Sequence, residues 1–361
     1  MRWRRWATVL VVGWLMATPL GTKAAGFQRR DLPSSGESSA YAINDAGQIV
    51  GFDTYGGRRH AVIWTRAGET DVGTLPGGSE SEADAINAAG TAVGASTTGS
   101  DQSLGQPGSH ATLWRLGKAT DLGTLPGDDT SLAIGINAAG QIVGRSEGQG
   151  LYHPFLWEQG KMTRLATLGG PWNAAQAINS QGVIVGWSSD HSFRVYPVRW
   201  DRGHISRLPL LPGDTEGGAN AINDAGQIVG ETSAPCNGCP VEGGLHAVVW
   251  QQGKAINLGQ GLQILRIDGS RHPPLGSEAK AINAAGDVSG VVYDVYNGDR
   301  QDRAAFWLGA TAFAQVDFGA PGMASTAEAD GINDQDQLVG LRTVNPLGAS
   351  SGPAQAVEWQ A

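Results

Sequence analysis

The sequence has little cysteine, little charge and no long hydrophobic run after its first two dozen residues. It has only 2 cysteines, and charged residues make up 16% of the chain. The lack of a second cysteine pair argues against a four-ligand zinc site. Basic residues number 25 against 34 acidic ones, for a net charge of −9. This acidic balance argues against nucleic acid or an anionic membrane as partner, and the absence of a later apolar span predicts no stable membrane insertion.

The first 24 residues have the pattern of a secretory signal. A basic start at Arg2, Arg4 and Arg5 precedes the apolar run Ala7–Leu20, and Thr22-Lys23-Ala24 follows as the expected cleavage site. Because that run is short for a membrane span, we expect cleavage and export; an uncleaved anchor helix is the alternative. Cleavage removes four basic residues and takes the net charge from −9 to −13. The predicted location is therefore secreted or periplasmic.

What the chain does have is a repeated motif, first seen as AYAINDAGQIVG at residues 40–51. The other six copies are residues 83–94, 133–144, 175–186, 219–230, 279–290 and 329–340. The asparagine after the isoleucine recurs at spacings of 43, 50, 42, 44, 60 and 50 residues. A period of this size indicates a repeat architecture.

Each copy predicts a β-hairpin. Alternating small and apolar residues precede Asn44, and an apolar pair follows Gly47. An Asn side chain can bond the main chain two residues on, and Gly suits the left-handed position of a hairpin loop. Six copies carry this Gly, and the seventh carries Asp336, one of the few residue types that tolerates that backbone conformation.

Two more signals follow the hairpin, the first in all seven repeats and the second in six of them. One is a short run that ends in Trp, such as His60–Trp64, and the other is a strand with a Pro/Gly linker, such as Thr70–Gly77. Four strands per repeat predict a propeller blade. A β-solenoid would have shorter coils, and a sandwich would not repeat seven times. The predicted fold is therefore an all-β, seven-bladed β-propeller over residues 25–361.

The two ends of the chain predict how the ring closes. The last repeat stops after its third strand, at Trp359, whereas Phe27–Pro33 reads as a fourth strand without a hairpin before it. We therefore expect this N-terminal strand to complete the last blade.

The three signals together resemble the HAF-type extracellular repeat of bacterial exported proteins, whose units read GINDAGQVVG, HAFLW and MTDLGTLGG. The resemblance covers essentially the whole chain after the signal, although the HAF tripeptide occurs only as variants such as His60-Ala-Val and His153-Pro-Phe. It implies an exported bacterial repeat protein. It implies no activity and no catalytic residues.

Cysteines, histidines and tryptophans each have a structural interpretation. Cys236 and Cys239 lie in a loop of the fifth repeat and most simply form a disulfide in an exported chain, with a redox or metal pair as the alternative. Four histidines at equivalent positions lie too far apart for one ion, so we interpret them as hydrogen-bonding residues; they are His60, His110, His153 and His246. The repeated tryptophans are interpreted as core rather than as a ligand cage. The turns lack the carboxylates of a calcium loop, so no metal site is predicted.

One position varies completely between near-constant neighbours, and it predicts a ligand surface. It lies between the two small residues of the first strand and is occupied by Tyr41, Asp84, Ile134, Gln176, Asn220, Lys280 and Asp330. Acids stand two residues before three of these, at Glu82, Glu278 and Glu328. Small residues suit the crowded innermost strand, so we expect this ring to line the central channel. Its acids should gather around Tyr41 and draw a cation or stack a sugar; a merely solvated channel is the alternative.

No catalytic or cofactor motif is present, so no cofactor is predicted. The favoured function is a non-enzymatic binding or surface-interaction module for a small molecule, a glycan or a protein, acting as a monomer. The alternative is a carbohydrate-active or lyase enzyme with its site at the propeller axis. Fold alone does not separate the two.

Overall fold

The computed structural model describes residues 27–100, 103–234, 244–265, 270–296, 299–309, 312–316, 323–346 and 353–360. Within these ranges the chain forms seven four-stranded antiparallel sheets and one two-stranded ribbon, and no helix. The first strand of every sheet contacts the first strands of both neighbouring sheets. The sheets therefore form a closed ring, and the predicted seven-bladed β-propeller is confirmed. In these ranges no helix is long and apolar enough to cross a membrane.

We letter the strands of each blade A to D from the ring centre outwards. Blade 1 consists of Ser38–Ile43, Ile49–Tyr55, Arg58–Thr65 and Gly68–Asp71. Blade 2 consists of Ser81–Ile86, Ala92–Thr97, Ser109–Arg115 and Lys118–Gly123. Blade 3 consists of Thr130–Ile136, Ile142–Gly148, Leu151–Glu158 and Lys161–Arg164. Blade 4 consists of Gly169–Ile178, Ile184–Asp190, Val195–Asp201 and His204–Arg207.

The last three blades follow the same order. Blade 5 consists of Glu216–Ile222, Ile228–Ser233, Leu245–Gln251 and Lys254–Asn257. Blade 6 consists of Gly276–Ile282, Val288–Tyr296, Asp299–Leu308 and Ala312–Gln315. Blade 7 takes strands A to C from Met323–Ile332, Gln337–Pro346 and Gln355–Gln360, and the separate ribbon pairs Ile264–Leu265 with Arg271–His272.

The fourth strand of blade 7 is the N-terminal strand Gln28–Asp31, as predicted. It runs antiparallel to strand C, with Arg29 opposite Trp359. Arg30 Nε donates to Glu358 Oε2 at 2.7 Å, and the buried Leu32 donates its main-chain N–H to the carbonyl oxygen of Ala356 at 3.0 Å. Both ends of the chain therefore lie in one sheet, and the ring is closed by a strand from the opposite terminus.

The A–B turns have the geometry that the motif predicts. Asn44 Oδ1 accepts the main-chain N–H groups of Ala46 at 3.1 Å and Gln48 at 3.0 Å. Gly47 has φ 74°, and Asp336 in the seventh turn has φ 57°. The exceptional Asp therefore occupies the same left-handed position as the six glycines.

Every A strand carries a β-bulge between its two small residues. In blade 1, Ala40 pairs with Gly51 and Ala42 pairs with Val50, so Tyr41 has no partner. The same shift occurs in the other six blades. A Cβ added at Gly51 would overlap the carbonyl oxygen of Ser39. The bulge brings the main chain of strand A so close to strand B that only Gly fits opposite it. This close approach explains the glycine at the end of the motif.

The core consists of layers between adjacent blades. Six of the seven repeated tryptophans are buried, and Trp157 is partly exposed. Trp250 Nε1 donates to the carbonyl oxygen of Pro209, in the segment after strand D of blade 4, at 2.7 Å. Trp64 makes the equivalent bond to Pro33, just after the closing strand, at 2.8 Å. The tryptophans thus act as core residues that also connect neighbouring blades.

Candidate functional site

The propeller has two faces, which we name by the connections that border them. The turn face carries the seven A–B turns, and the loop face carries the D–A and B–C connections. The bulge residues of the predicted ring lie on the innermost strands, which contact one another around the centre of the propeller.

The acidic side of the ring is partly neutralised by Lys280. Its Nζ lies 2.7 Å from Asp330 Oδ1 and also pairs with Glu328. Burial lowers the pKa of Lys280, but Asp330, Glu328 and Glu278 together raise it well above its ordinary value. Lys280 is therefore a partly buried cation held among carboxylates, and it reduces the negative field of the channel.

The acids of blade 2 are also desolvated. Asp84 Oδ2 is inaccessible to solvent and has no hydrogen-bond partner within the described ranges. Burial, followed by the charge of Glu82, raises the pKa of Asp84 well above its ordinary value, against the opposing effect of Arg145. Burial also raises the pKa of Glu82 and of the Tyr41 phenol, which lies in the field of both acids. The protein favours the neutral form of these groups.

Asn220 connects the ring to the loop face. Its Nδ2 donates to Glu231 Oε2 at 2.8 Å and to Glu278 Oε1 at 3.3 Å. Tyr293 in turn donates to Glu278 Oε2 at 2.7 Å. The ring is completed in blades 3 and 4 by Ile134 and Gln176.

On the turn face, the seven motif asparagines form a closed circle of hydrogen bonds. Each Nδ2 donates to the main-chain carbonyl of the Asn in the next blade, from Asn44 to Asn87 at 3.0 Å and finally from Asn333 back to Asn44 at 3.2 Å. The five bonds between these run from Asn87, Asn137, Asn179, Asn223 and Asn283. The circle borders a cavity of about 280 Å³. Because each Asn also caps its own turn, we assign this circle a structural role.

The histidines make the hydrogen bonds expected of structural residues. His60 and His110 contact Asp71 and Asp121 on the neighbouring strand D, with Nδ1 to oxygen distances of 2.8 and 2.9 Å. His153 and His246 each contact an aspartate before strand A of their own blade, at 2.9 Å. Within the described ranges no group of three or more His, Cys, Asp and Glu residues is arranged to hold a metal ion. The predicted disulfide Cys236–Cys239 and the signal over residues 1–24 lie outside the described residues.

A larger cavity, of about 510 Å³, lies on the loop face between blades 4 and 5. We name it the aromatic pocket, and its walls include Tyr152, Trp172, Trp187, Glu216 and Glu231. Trp172 is 41% exposed and packs against the exposed Phe193, with ring centroids 5.7 Å apart. Gly217 and Gly218 form part of the wall, and the missing side chain of Gly218 leaves room beside Trp187. The pocket therefore offers aromatic surfaces beside two carboxyl groups.

Glu231 is the most perturbed polar group of the aromatic pocket. Burial raises its pKa to about 8, with a further increase from Glu278 and an opposing effect from the Asn220 hydrogen bond. At neutral pH the protonated form therefore predominates, and it can both donate and accept a hydrogen bond. Oε2 accepts the Asn220 bond, and a Cβ added at Gly218 would lie 2.6 Å from Oε1. The absence of a side chain at Gly218 thus leaves space next to Oε1.

Comparison with known proteins assigns no family to the chain. No protein-family model matches the chain, and no curated protein matches it, so the resemblance to the HAF-type repeat stays a prediction. Among solved structures, the chain is similar to TolB from Acinetobacter baumannii, with 11% identity and TM-score 0.36 over 90% of this chain and 64% of that one. It is similar to the Pyrococcus horikoshii acylaminoacyl peptidase, with 13% identity and TM-score 0.46 over 85% of this chain and 50% of that one.

A third structure is similar over most of its own length. It is the SapL1 lectin in complex with alpha methyl fucoside, with 12% identity and TM-score 0.44 over 78% of this chain and 96% of that one. In contrast, the chain spans about 64% and 50% of the lengths of the TolB and peptidase chains.

Proposed function

We propose that the protein is a non-enzymatic carbohydrate-binding module whose ligand site is the aromatic pocket. The observation that supports this is the arrangement of Trp172, Trp187 and Tyr152 around one cavity of about 510 Å³, with Glu216 and Glu231 as its carboxyl groups. A pyranose ring has apolar faces that pack on aromatic side chains and a hydroxyl edge that needs polar partners. Concave sites with apolar walls and a few convergent polar groups are the usual form of a small-molecule site.

Aromatic walls beside carboxylates also suit an organic cation. The charge of Glu231 decides between a sugar and such a cation. With a pKa of about 8, this carboxyl group carries little negative charge at neutral pH, so it attracts a cation weakly. As a neutral acid it is a good partner for a sugar hydroxyl. We therefore favour a sugar, and Asn220 joins the predicted channel ring to the same site.

The experiment is a screen of the purified protein on a glycan array, repeated with Trp187→Ala and with the double variant Trp172→Ala/Trp187→Ala. We expect the double variant to lose at least tenfold in affinity for every glycan that the wild type binds, because each Trp supplies a stacking surface. Ile256→Ala, an exposed apolar residue on strand D outside the pocket, is the matched control and should bind as the wild type does. Unchanged binding by the double variant contradicts the proposal, and so does capture of quaternary ammonium compounds in place of glycans.

A glycosidase is the second candidate, and the pair Glu216 and Glu231 supports it. In strands A and B of blade 5, Gly218 pairs with Glu231 and Glu216 with Ser233, so the two acids are diagonal neighbours on the wall of one pocket. Glycosidases use two such carboxyl groups, one of them with a raised pKa as general acid. Incubation with a panel of aryl glycosides tests this: turnover that Glu231→Gln abolishes supports the enzyme, and no turnover favours the binding module.

The location and the oligomeric state of the protein are also proposals. We propose that residues 1–24 direct export, as their sequence pattern and the HAF-type resemblance imply. We also propose that the exported chain acts as a monomer. Sequencing of the N-terminus of protein recovered from outside the cytoplasm tests the first, and light scattering tests the second.

A further inference from the structure

A second loop-face cavity, of about 190 Å³, lies close to the aromatic pocket. We name it the arginine cavity, and its walls include Arg59, Glu82, Ser109, Thr130, Arg145 and Glu147. Arg59 comes from strand C of blade 1 and Arg145 from strand B of blade 3. Blades on either side of blade 2 thus direct two cations to one space.

Both arginines are held by stacking and left without ion pairs. The Arg59 guanidinium carbon lies 4.3 Å from the ring centroid of Phe52, and that of Arg145 lies 4.9 Å from the centroid of Tyr152. Neither guanidinium forms an ion pair or a hydrogen bond in the described part of the chain. A stacked guanidinium keeps its fork of N–H donors free and oriented, which is the arrangement that binds carboxylates and other oxyanions.

Other polar groups of the cavity are also unused. Ser109 Oγ is buried and has no hydrogen-bond partner among the described residues. Burial raises the pKa of Glu82 against the effects of Arg59 and Arg145, so its carboxyl group opposes an anionic ligand less than a solvated Glu would. The cavity is therefore lined by two guanidinium groups without ion-pair partners, beside the carboxyl groups of Glu82 and Glu147.

Tyr152 connects the two cavities. Its ring forms part of the wall of the aromatic pocket and is stacked under Arg145, which lines the arginine cavity. A ligand in the aromatic pocket that extends past Tyr152 reaches the guanidinium group of Arg145 first, and with it the arginine cavity.

We propose that the arginine cavity binds an anionic substituent, a carboxylate or a sulfate ester, of the same glycan whose neutral ring occupies the aromatic pocket. The inference rests on the proposed function and narrows it to acidic oligosaccharides. Guanidinium forks bind carboxylates and sulfates alike, so the test has to separate the two sources.

The experiment is an array printed with oligosaccharide pairs that differ in one group: uronic acids beside their carboxyl-reduced counterparts, and sulfated glycans beside unsulfated ones. We expect the wild type to prefer the acidic member of a pair at least tenfold, with the preference decreasing as salt rises. Arg59→Gln/Arg145→Gln should reduce the preference to about twofold or less and keep the binding of neutral members. The type of pair that shows the preference identifies carboxylate or sulfate.

Two further variants keep the test decisive. Arg145 lowers the pKa of Asp84 against the larger effect of burial, so replacement of Arg145 can affect folding. Arg59 is exposed, and Arg59→Gln alone should still reduce the preference for acidic glycans severalfold. Arg115→Gln, an exposed Arg at the other end of strand Ser109–Arg115, removes the same charge and should change nothing.

The outcomes separate the two ideas. A wild type that binds acidic and neutral members equally, or an Arg59→Gln/Arg145→Gln variant with full preference, overturns the inference and leaves the sugar site in place. Binding that survives the loss of Trp172 and Trp187 overturns the proposed function instead.

Discussion

Asn333 in the last repeat donates its side-chain amide to the main-chain carbonyl of Asn44 in the first repeat, at 3.2 Å. The two residues are separated by almost the whole chain, yet their contact is the same as that between any two adjacent blades. The circle of asparagines on the turn face and the strand Gln28–Asp31 on the outside of blade 7 therefore close the ring at two different radii.

This double closure predicts the effect of removing the N-terminal strand. Deletion of residues 25–35 leaves the edge of strand Gln355–Gln360 unpaired and uncovers the core around Trp64, which bonds to Pro33. An unpaired edge strand promotes aggregation, because its free N–H and C=O groups pair with other chains. We expect loss of cooperative thermal unfolding or of solubility, measured by circular dichroism and light scattering. Arg29→Ala, a residue whose ion pair with Asp31 is exposed, should cost less than about 1 kcal/mol, whereas an unchanged melt of the deletion contradicts the closure.

The bulge predicts that the last glycine of the motif does not tolerate any side chain. An alanine Cβ at Gly186 would overlap the carbonyl oxygen of Ala174, and two main chains cannot separate without breaking the A–B ladder. We expect Gly186→Ala to lower stability by more than ~3 kcal/mol, as strained cores do, in chemical denaturation. Gly203→Ala is the matched control: its φ is 81° with open space around it, so it should cost only about 1–2 kcal/mol.

The fold could be predicted from the sequence because the same motif occurs seven times. Small residues at 40 and 42, Asn44 and Gly47 each have one local role, and seven copies remove the ambiguity that a single hairpin leaves. The bulge and the circle of asparagines could not be predicted. The first depends on where the partner strand lies, and the second needs the Asn amide to reach a neighbouring blade, which no local pattern encodes.

The candidate site could be predicted only in part. The variable ring lies on the innermost strands, and its role as a ligand surface stays a prediction; Glu231, Trp187 and Arg145 were not among the predicted site residues. All three directly follow the last glycine of a motif copy, and that position varies across the seven copies as fully as the ring does. A search for variable positions in strands B and C would have found them. That they border common cavities follows only from how neighbouring blades pack.

The predicted disulfide stays a prediction, and it has a direct measurement. Cys236 and Cys239 enclose a very short loop, so their bond should add little to global stability. Intact-mass spectrometry of the exported protein should find the mass two hydrogens below that of the reduced chain. Cys236→Ser/Cys239→Ser should change the melting temperature by less than about 2 °C. Free thiols in the exported protein would contradict the pairing.

Glu231 predicts a pH dependence of stability. Its pKa is about 8 in the folded protein against an ordinary 4.5, so as pH rises from about 4.5 the unfolded chain loses this proton first. Stability from this group is therefore complete below pH 4.5 and decreases until pH 8. We expect Glu231→Gln to gain at least about 2 °C in melting temperature relative to the wild type between pH 5 and pH 8. A difference that stays constant with pH would mean that the carboxyl group is not buried as described.

Replacement by Ala of the two aspartates of the channel ring, Asp84 and Asp330, should change the stability of the protein in opposite directions. Asp84 has a solvent-inaccessible oxygen without a hydrogen-bond partner among the described residues, and its pKa is raised well above the ordinary value by burial. Such a group costs stability, and it costs more as pH rises above the ordinary Asp value, because the unfolded chain ionises first. Burial raises the pKa of Asp330 too, but Lys280 opposes that effect. Asp330 holds Lys280 at 2.7 Å, and its removal leaves that partly buried cation with one ion-pair partner, Glu328, and the more distant charge of Glu278.

We therefore expect Asp84→Ala to melt at or above the wild-type temperature at pH 7, with a gain that grows with pH. Asp330→Ala should lose roughly 1–3 kcal/mol, less than a fully buried pair because Glu328 remains and the site is partly exposed. Paired denaturation curves at pH 5 and pH 8 make the comparison. If Asp84→Ala is the more destabilised of the two, the Asp84 carboxylate has a partner that stabilises it. The acidic side of the channel would then be an ionised surface rather than a protonated one.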